Sequence, residues 1–429
     1  MRYAYMHPRE QIVTIMRRVY GYGMTTTSGG NISILEENGD IWITPGGTDK
    51  GTLGEADIVR MRGDRIEEGT HPPSSEYPFH RAIYERRPDI RAVLHAHPAA
   101  LVAFSLVRSI PDTSIIPQAR AVCGAVGYAP YAIPGSEELG RNLAGAFGQG
   151  FDTVLLENHG VAAGGTTLLE AFQRFETLDF CARTLINATA LGPGRGLGPE
   201  QIALSHQGKN YQLPEFDPPS RSSAERSLRR DMRELVHRAY RQRLMTSTEG
   251  TVSTRLDDES FLISPYGVDR SYLEESDIVL IRRGMRERGA LPSRAVVLHQ
   301  EIYAANPGIR AIASAQSPAV TAFSVTGSTL DSAIIPESYI VLRNIPLIAY
   351  GRQFNDERAL AREISSHTPV VLLQNDAVLT TGESLTQAFD RLEVAEFSAN
   401  ALLSAMKLGP IARIDAGALD ALSEKFGLV

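Results

Sequence analysis

Apolar residues recur at the three- and four-residue spacing of an amphipathic helix in four segments of the chain. The spacing predicts helices over Pro8–Tyr20 and about Ala224–Tyr240, and again over Leu168–Leu191 and Ser384–Leu408. Short apolar runs lie between the members of each pair, for example GDIWITP, DIVRM, IRAVLHAH and DTVLLEN, and these runs predict strands. Alternating helices and strands favour the α/β class, with helices packed around a mixed or antiparallel sheet.

The pattern occurs twice because the sequence repeats itself. SGGNIS (28–33) corresponds to TEGTVS (248–253), WITPGGTDKG to LISPYGVDRS, and RAVLHAHPAALVAFS (91–105) to RAIASAQSPAVTAFS (310–324). Between the copies lies a stretch rich in Gly, Pro and Ser, which is typical of a linker. We therefore predict two domains, 1–214 and 215–429, an organisation that also suits a chain of 429 residues.

Composition and net charge limit the kinds of molecule that the protein is expected to bind. The chain has 43% hydrophobic and 22% charged residues, which is typical of globular proteins, and its net charge of -7 argues against nucleic-acid binding. Two cysteines, Cys123 and Cys181, are too few for a disulfide framework. The N-terminal segment has no uninterrupted apolar run, so neither a signal peptide nor a membrane span is expected. These features indicate a cytoplasmic protein that acts on a small molecule, without nucleic acid or membrane as partner.

Three histidines stand beside predicted strands. His95 and His97 follow an apolar, β-branched run, and residues two apart on a strand share one face. Such a pair can bind a metal ion, or it can be a hydrogen-bonded pair at a sheet edge. His159 comes directly after another apolar run, at a strand end from which a side chain can reach a cleft. Three neutral imidazoles would form a metal site with an open position for water or substrate.

A second group of polar residues precedes a helical pattern. Ser74, Ser75 and Glu76 follow two prolines, which predicts a helix that begins with a serine cap and carries an acid in its first turn. The same residues can serve as an anion site, with Glu76 as a base or a metal ligand. The glycine-rich stretches SGGNIS and ITPGG would let backbone amides approach an anion, and Asn31 offers a side-chain donor.

The second copy provides an internal control for these alternatives. At the positions of His95, His97, His159 and Glu76 it has other residues, which are Ser314, Gln316, Asp376 and Ala295. Asn31 is replaced by Thr251, Ser75 by Arg294 and Gly46 by Tyr266. Scaffold positions persist, including the pairs Pro45 and Pro265, Tyr84 and Tyr303, and Phe104 and Phe323. Histidines needed for the fold would not be lost as a complete set, so the set is interpreted as one functional unit.

The motifs GGNIS, ITPGG, PPSSE, LHAHPA and ENHG occur in this order in the first copy, which resembles the class II aldolase/adducin family; the second copy resembles the family over most of its length. The resemblance implies two tandem α/β/α domains, each with a central, mostly antiparallel sheet flanked by helices. It implies that His95, His97 and His159 ligate a divalent metal, with Zn²⁺ the first choice and Mn²⁺, Co²⁺ or Fe²⁺ the alternatives. It further implies that Glu76 is the catalytic acid/base and that an anion pocket is lined by Asn31, Gly47, Ser74 and Ser75.

The activity expected from the resemblance is that of a metal-dependent carbon-carbon lyase. Such an aldolase cleaves or joins a small, oxygenated, anionic substrate through a metal-stabilised enediolate. A decarboxylase of a hydroxy- or keto-acid is the alternative, followed by an epimerase and then by an adducin-like interaction module without catalysis. The complete set of histidines and Glu76 argues against the last alternative.

Two residues depart from the family pattern. Gly46 stands where sugar-phosphate members often have a hydroxyl residue, which argues against a phosphate group on the substrate. Ile115 and Ile116 stand where the aldolases have a tyrosine, which leaves the proton donor open. Glu337 or Tyr339 of the second copy could supply the missing donor. Family members commonly form four-fold rings with sites between adjacent subunits. We therefore expect a homodimer of the tandem chain that forms a pseudo-tetrameric ring, in which the degenerate second domain is a metal-free partner.

Overall fold

Contacts along the chain divide it into two compact units, and each is described by itself. The structure is a computed structural model that describes residues 5–428. The first unit comprises the residues up to Thr113 together with Ala119–Ala182, and the second comprises Ser114–Gln118 and the residues from Arg183 onwards. The boundary after residue 214 stays a prediction about where an independently folding second domain begins.

The first copy of the repeat is built from eight strands and six helices. The strands are β1 (Asn31–Leu35), β2 (Ile41–Ile43), β3 (Val59–Arg62), β4 (Arg65–Glu68), β5 (Ala92–Ala96), β6 (Val126–Ala129), β7 (Thr153–Leu156) and β8 (Gly160–Gly165). The helices are α1 (Pro8–Gly21), α2 (Tyr77–Arg86), α3 (Ala99–Leu106), α4 (Pro117–Cys123), α5 (Glu137–Phe147) and α6 (Leu168–Ala188).

The eight strands form one sheet in the order β4-β3-β2-β1-β5-β8-β7-β6. All neighbours in it are antiparallel except β6 and β7, so the predicted mostly antiparallel sheet is confirmed. Val93 of β5 belongs to an apolar core that β-strand side chains share with α2 and α5. Leu94 is equally buried and, by the alternation of side chains along a strand, lies on the opposite face.

The second copy repeats this plan with nine strands and eight helices. The strands are β9 (Glu215–Phe216), β10 (Thr251–Arg255), β11 (Ser260–Ile263), β12 (Val279–Arg282), β13 (Met285–Glu287), β14 (Ala311–Ala315), β15 (Leu347–Ile348), β16 (Val370–Leu373) and β17 (Val378–Gly382), of which β9 is an addition to the plan. The helices are α8 (Ser223–Arg241), α9 (Val296–Ala305), α10 (Pro318–Thr326), α11 (Pro336–Leu342), α12 (Arg352–Asn355), α13 (Glu357–Glu363), α14 (Leu385–Leu408) and α15 (Ala416–Phe426).

These strands also form one sheet, in the order β15-β16-β17-β14-β10-β11-β12-β13-β9. Only the two edge pairs, β15 with β16 and β13 with β9, are parallel. One apolar core packs α8, α10 and α14 against the sheet, and another packs α9 and α13. The predicted α/β/α layering is therefore confirmed.

The segment expected to be a linker is partly regular. Its residues Pro199–Leu204 form the short helix α7, which begins with proline, a residue favoured in the first helical turn. Further along, β9 extends the second sheet through backbone bonds that need no apolar pattern. Because neither element depends on hydrophobic periodicity, the sequence pattern gave no sign of them. Within residues 5–428 no helix combines the length and apolar character needed to cross a bilayer.

Candidate metal centre

His95 lies on β5, in the middle of the first sheet, and its side chain is fully buried. Its Nδ1 is 3.0 Å from the carbonyl oxygen of Val161 on the neighbouring strand β8. Since a carbonyl can only accept, Nδ1 carries the proton and Nε2 presents its lone pair. This is the tautomer that an imidazole needs in order to bind a metal ion through Nε2.

His97 and His159 bring their imidazoles to the same place. His97 follows the end of β5, and its Nε2 is 3.0 Å from Nε2 of His95. His159 lies in the tight turn between β7 and β8, where Asn158 adopts a left-handed φ of 53°. The ligand atoms of all three histidines lie within 4.8 Å of one another. The structure thus brings together the three predicted metal ligands.

Glu76 completes the cluster from the start of α2. Its Oε2 is 3.4 Å from Nε2 of His95, and its Oε1 is 3.5 Å from Nε2 of His159. Glu76 itself is the N-cap residue, so the expectation of an acid within the first turn is wrong by one position. Pro78, in the first turn of the helix, has no N–H that a side chain could cap. The Glu76 carboxylate makes no capping bond and points towards the imidazoles.

The spacing of these four groups fits a divalent cation. Zinc–nitrogen distances of about 2.0–2.1 Å place tetrahedral ligand atoms about 3.3 Å apart. The separations of 3.0, 3.4 and 3.5 Å among the imidazole nitrogens and Glu76 oxygens are close to that value. In addition, Oε1 of Glu76 is buried without a hydrogen-bond partner among the described residues. A cation bound by the imidazoles would relieve the close approach of the two nitrogens.

Burial sets the charge state of the cluster. It lowers the pKa of His95, His97 and His159, so that the imidazoles are neutral at pH 7, as metal ligands must be. Burial also raises the pKa of Glu76, whereas the hydrogen bond from Asn31 and the charge of His159 act in the opposite direction.

Glu76 is one end of a series of buried side chains that are linked by hydrogen bonds into a chain. Nδ2 of Asn31 donates to Oε2 of Glu76 at 2.7 Å, and Oδ1 of Asn31 lies 2.5 Å from Nε2 of His80. Nδ1 of His80 is in turn 2.7 Å from the hydroxyl of Ser33, which is 2.6 Å from the hydroxyl of Tyr84. If His80 donates from Nε2, then Nδ1 accepts from Ser33 and every member of the chain has a partner. Burial lowers the pKa of His80 to about 3, so it is neutral in this role.

Sequence reasoning missed this chain. A signal was available, because Ser33, His80 and Tyr84 have identical counterparts, which are Ser253, His299 and Tyr303. In the second unit Ser253 contacts both His299 and Tyr303, at 2.8 Å each. There, however, Nε2 of His299 is buried without a partner among the described residues. The chain persists while the Asn31 and Glu76 that it supports are absent.

Two glycines provide the space for His97. A Cβ atom on Gly29 would lie 3.0 Å from Nδ1 of His97, and one on Gly160 would lie 2.7 Å from its Cδ2. The second unit has Glu249 and Ala377 at these positions, and it also has Gln316 in place of His97. Both glycines are thus present where the imidazole is present and absent where it is absent.

The predicted anion-binding residues lie on neighbouring segments. Pro45 and Pro73 form an isolated bridge between the ITPGG and PPSSE segments, and a Cβ on Gly46 would lie 3.7 Å from the Cα of Ser74. Ser75 and Gly47 are exposed, whereas Ser74 is buried and its Oγ accepts from the amide of Glu76 at 3.3 Å. Asn31 is also buried, and its amide is engaged with Glu76 and His80. Anion binding by these four residues stays a prediction.

The candidate proton donors belong to the second unit. Tyr339 is hydrogen-bonded through its hydroxyl to Oγ of Ser423 at 3.0 Å, and Glu337 is exposed on α11. Ile115 and Ile116, which stand where a tyrosine was expected, are buried apolar residues. A role for Glu337 or Tyr339 in proton transfer also stays a prediction.

Comparisons with known proteins match both copies. The family model described as class II aldolase and adducin N-terminal domain matches residues 10–186 and again residues 230–403. The chain is 34% identical to a 5-deoxy-D-ribulose 1-phosphate aldolase of Bacillus thuringiensis serovar kurstaki over 200 residues. The alignment covers 45% of this chain and 91% of that protein. It is 31% identical over 181 residues to a 3-oxo-tetronate 4-phosphate decarboxylase of Haemophilus influenzae, covering 41% of this chain and 85% of that protein. A solved L-fuculose 1-phosphate aldolase aligns with 30% identity and a TM-score of 0.44, covering 48% of this chain and 96% of that one.

Proposed function

Because the chain belongs to the class II aldolase and adducin family, we propose that its first unit is a metal-dependent aldolase acting on a small, hydroxylated, anionic substrate. The observation that carries the proposal is the convergence of three imidazoles, whose ligand atoms lie within 4.8 Å of one another, with the Glu76 carboxylate 3.4 and 3.5 Å from two of them. His95, His97 and His159 would hold the ion, for which Zn²⁺ is our first choice. A bound divalent cation supplies Lewis-acid stabilisation of the enediolate formed when the carbon-carbon bond breaks.

Glu76 is the group placed to move the proton on carbon. A retro-aldol reaction leaves an aldehyde and an enediolate, and the carbon of the enediolate must then be protonated; carbon-carbon joining needs the reverse transfer. Oε1 of Glu76 has no hydrogen-bond partner among the described residues and is therefore free to exchange that proton. Asn31 fixes the other oxygen, so that the carboxylate keeps one orientation.

The remaining groups have supporting roles in the proposal. Gly47, Ser74 and Ser75 would bind the anionic end of the substrate next to Glu76, with Asn31 at the inner wall. Glu337 or Tyr339 would exchange the proton on the hydroxyl side of the breaking bond, from a neighbouring domain of a homodimer arranged as a pseudo-tetrameric ring. In such a ring the second unit acts as a pseudoenzyme domain of a cytoplasmic protein. A sedimentation experiment that finds only monomer at micromolar concentration would contradict the ring.

Metal content tests the centre directly. The purified protein should hold about one divalent ion per chain by elemental analysis, and the His97→Ala variant should hold far less. Gln316→Ala changes the equivalent position of the second unit and serves as the matched control, so its metal content should equal that of the unchanged protein. Equal metal in all three proteins would contradict the proposed ligands.

Product analysis tests the reaction. The first substrates to examine are 5-deoxy-ribulose 1-phosphate and fuculose 1-phosphate, which are named for the similar aldolases. Release of an aldehyde that depends on Glu76 and on added metal is the expected result. The decarboxylase alternative has the support of the Haemophilus influenzae relative. Release of carbon dioxide from a 3-keto acid phosphate, without aldehyde from any sugar phosphate, would favour it over the aldolase.

A further inference from the structure

The second unit keeps a cavity at the place that corresponds to the metal centre. Its volume is about 120 Å³, which is room for several waters or a small ligand. It is lined by the counterparts of all eight predicted metal, catalytic and anion-binding residues of the first unit, among them Thr251, Ser293, Arg294 and Gln316. The sheet register is also the same, since Thr251 pairs with Ser314 as Asn31 pairs with His95. A site that had only lost its function could have been filled by apolar side chains, but this one remains open and polar.

In the half of the cavity that corresponds to the metal site, the acidic side chains are hydrogen-bonded to neighbouring protein groups. Glu249 accepts from the backbone amides of Thr246 and Gln316 at 3.3 and 3.1 Å. Asp376 accepts from Nε2 of Gln353 at 3.1 Å and lies 3.5 Å from Nε2 of Gln316. The side chains in the positions of the metal ligands therefore bind one another or their neighbours.

The other half has kept its polar groups and gained a cation. Thr251 and Ser293 present hydroxyls 2.6 Å apart, and Gly267 persists at the position of Gly47. Arg294 replaces the exposed Ser75, and its guanidinium is held in place by Oε1 of Gln118 at 2.6 Å and the carbonyl of Ser205 at 3.0 Å. Both of these partners are neutral, and the charge of Arg294 also acts on the Asp376 carboxyl, whose pKa it lowers.

The charges that line the cavity favour an anion. Besides Arg294, the lining contains Arg270, which is buried and donates to the carbonyls of Gly250 and Val268 at 2.9 and 2.6 Å. The acidic members are Glu249 and Asp376. Burial raises the pKa of Glu249 to about 8, so this carboxyl is mostly neutral at pH 7. Burial also raises the pKa of Asp376, and the charge of Arg294 acts in the opposite direction. With or without a charge on Asp376, the two guanidinium groups give the lining a positive excess.

We propose that the second unit binds a small oxyanion, either a carboxylate or a phosphate ester of up to about four carbon atoms, between Arg294 and the hydroxyls of Thr251 and Ser293. Binding there needs no metal ion and leads to no reaction, because neither imidazole ligands nor a counterpart of Glu76 is present. The second unit is then an anion-binding copy of the first. This inference does not depend on the activity of the first unit.

Calorimetric titration of the full-length, metal-stripped protein tests the proposal. The probes are inorganic phosphate and glycolate, which separate the two anion types. We expect at least one of them to bind, with an affinity that falls at least tenfold in Arg294→Ser and is unchanged in the control variant Arg65→Ser, whose side chain is exposed outside both sites. Absence of binding by both probes, or equal binding by Arg294→Ser, would overturn the proposal.

A second variant separates loss of charge from loss of structure. Arg294→Lys keeps the charge but not the bonds to both Gln118 and Ser205, and it should bind within a few-fold of the unchanged protein. If Arg294→Lys loses as much affinity as Arg294→Ser while both melt at the same temperature as the unchanged protein, the cationic site is wrong. Because metal is absent throughout, failure of the aldolase proposal would leave this result unaffected.

Discussion

Asn31 donates a 2.7 Å hydrogen bond to one carboxylate oxygen of Glu76 and leaves the other oxygen facing the imidazole of His159. The second unit cannot make this contact, since Thr251 and Ala295 stand at the two positions. The pair therefore belongs to the first copy alone, although the chain of Tyr84, Ser33 and His80 behind it has an equivalent in both copies.

Replacing Asn31 by threonine, the residue of the second unit, should lower kcat with little effect on metal content. A hydrogen bond to a charged group contributes about 1.5–3 kcal/mol, which corresponds to a loss of about 10- to 100-fold in rate. Steady-state kinetics and elemental analysis check this, and Thr251→Asn is the control that should leave kcat unchanged. An unchanged kcat in Asn31→Thr would mean that Glu76 does not need this bond.

Gly160→Ala should weaken metal binding. The added Cβ would lie 2.6 Å from the carbonyl oxygen of Ala96 and 2.7 Å from Cδ2 of His97, so the imidazole must move. Displacing a metal ligand through its neighbours typically costs about 10–100-fold in affinity. Competition with a chromogenic chelator measures the change. Ala377→Gly makes the opposite change in the second unit, where no metal is expected, and should not alter the affinity.

Chelation should destabilise the first unit selectively. Because the ion would bind only the folded state, its removal lowers stability by RT ln(1 + [L]/Kd), about 4 kcal/mol when the ion is present at 1,000 times its Kd. Calorimetry with and without EDTA should show one unfolding transition moving to lower temperature. The His97→Ala variant should melt at the same temperature under both conditions; a similar EDTA shift in that variant would place the ion elsewhere.

His299 should make the second unit sensitive to acid. Burial lowers its pKa from the ordinary 6.5 to about 3, so between these values the unfolded chain binds a proton that the folded chain does not. Stability is therefore complete above about pH 6.5 and falls as the pH decreases, by about 2 kcal/mol between pH 7 and pH 5 for this group.

Urea unfolding at the two pH values, compared between the unchanged protein and His299→Gln, measures this contribution. Glutamine does not titrate and can still bond to Ser253, so the variant should lose about 2 kcal/mol less on acidification. The same loss in both proteins would show that His299 is protonated in the folded state.

The convergence of His95, His97, His159 and Glu76 could be predicted from the sequence because two kinds of information agreed. Period-two spacing put His95 and His97 on one strand face, and the second copy showed that they vary together with His159 and Glu76. Strands and long helices were predictable for a similar reason, since their apolar faces leave a regular pattern. The family match then supports the same fold for both copies.

Other features of the site and of the fold depend on contacts between residues distant in sequence, and they correspond to no regular pattern of apolar residues. Glu76 lies at the cap and not in the first turn because the proline after Tyr77 changes which amides need capping. His80 could not be distinguished from an ordinary helical residue until the structure placed it against Ser33 and Asn31. The short helix Pro199–Leu204 has too few residues for periodicity to be visible.

The difference between Gly160 and its counterpart Ala377 also affects which mutations could create or remove a metal site in each copy. Giving the second copy imidazoles alone would not restore a metal centre, since Ala377 and the Glu249 side chain take the space that His97 has in the first. A return would need the three histidines, the glutamate and both glycines together, and most intermediate steps would bring no benefit. A single glycine-to-alanine change at Gly160 would thus be enough to disturb a metal centre, whereas building one in the second copy would take several changes at once.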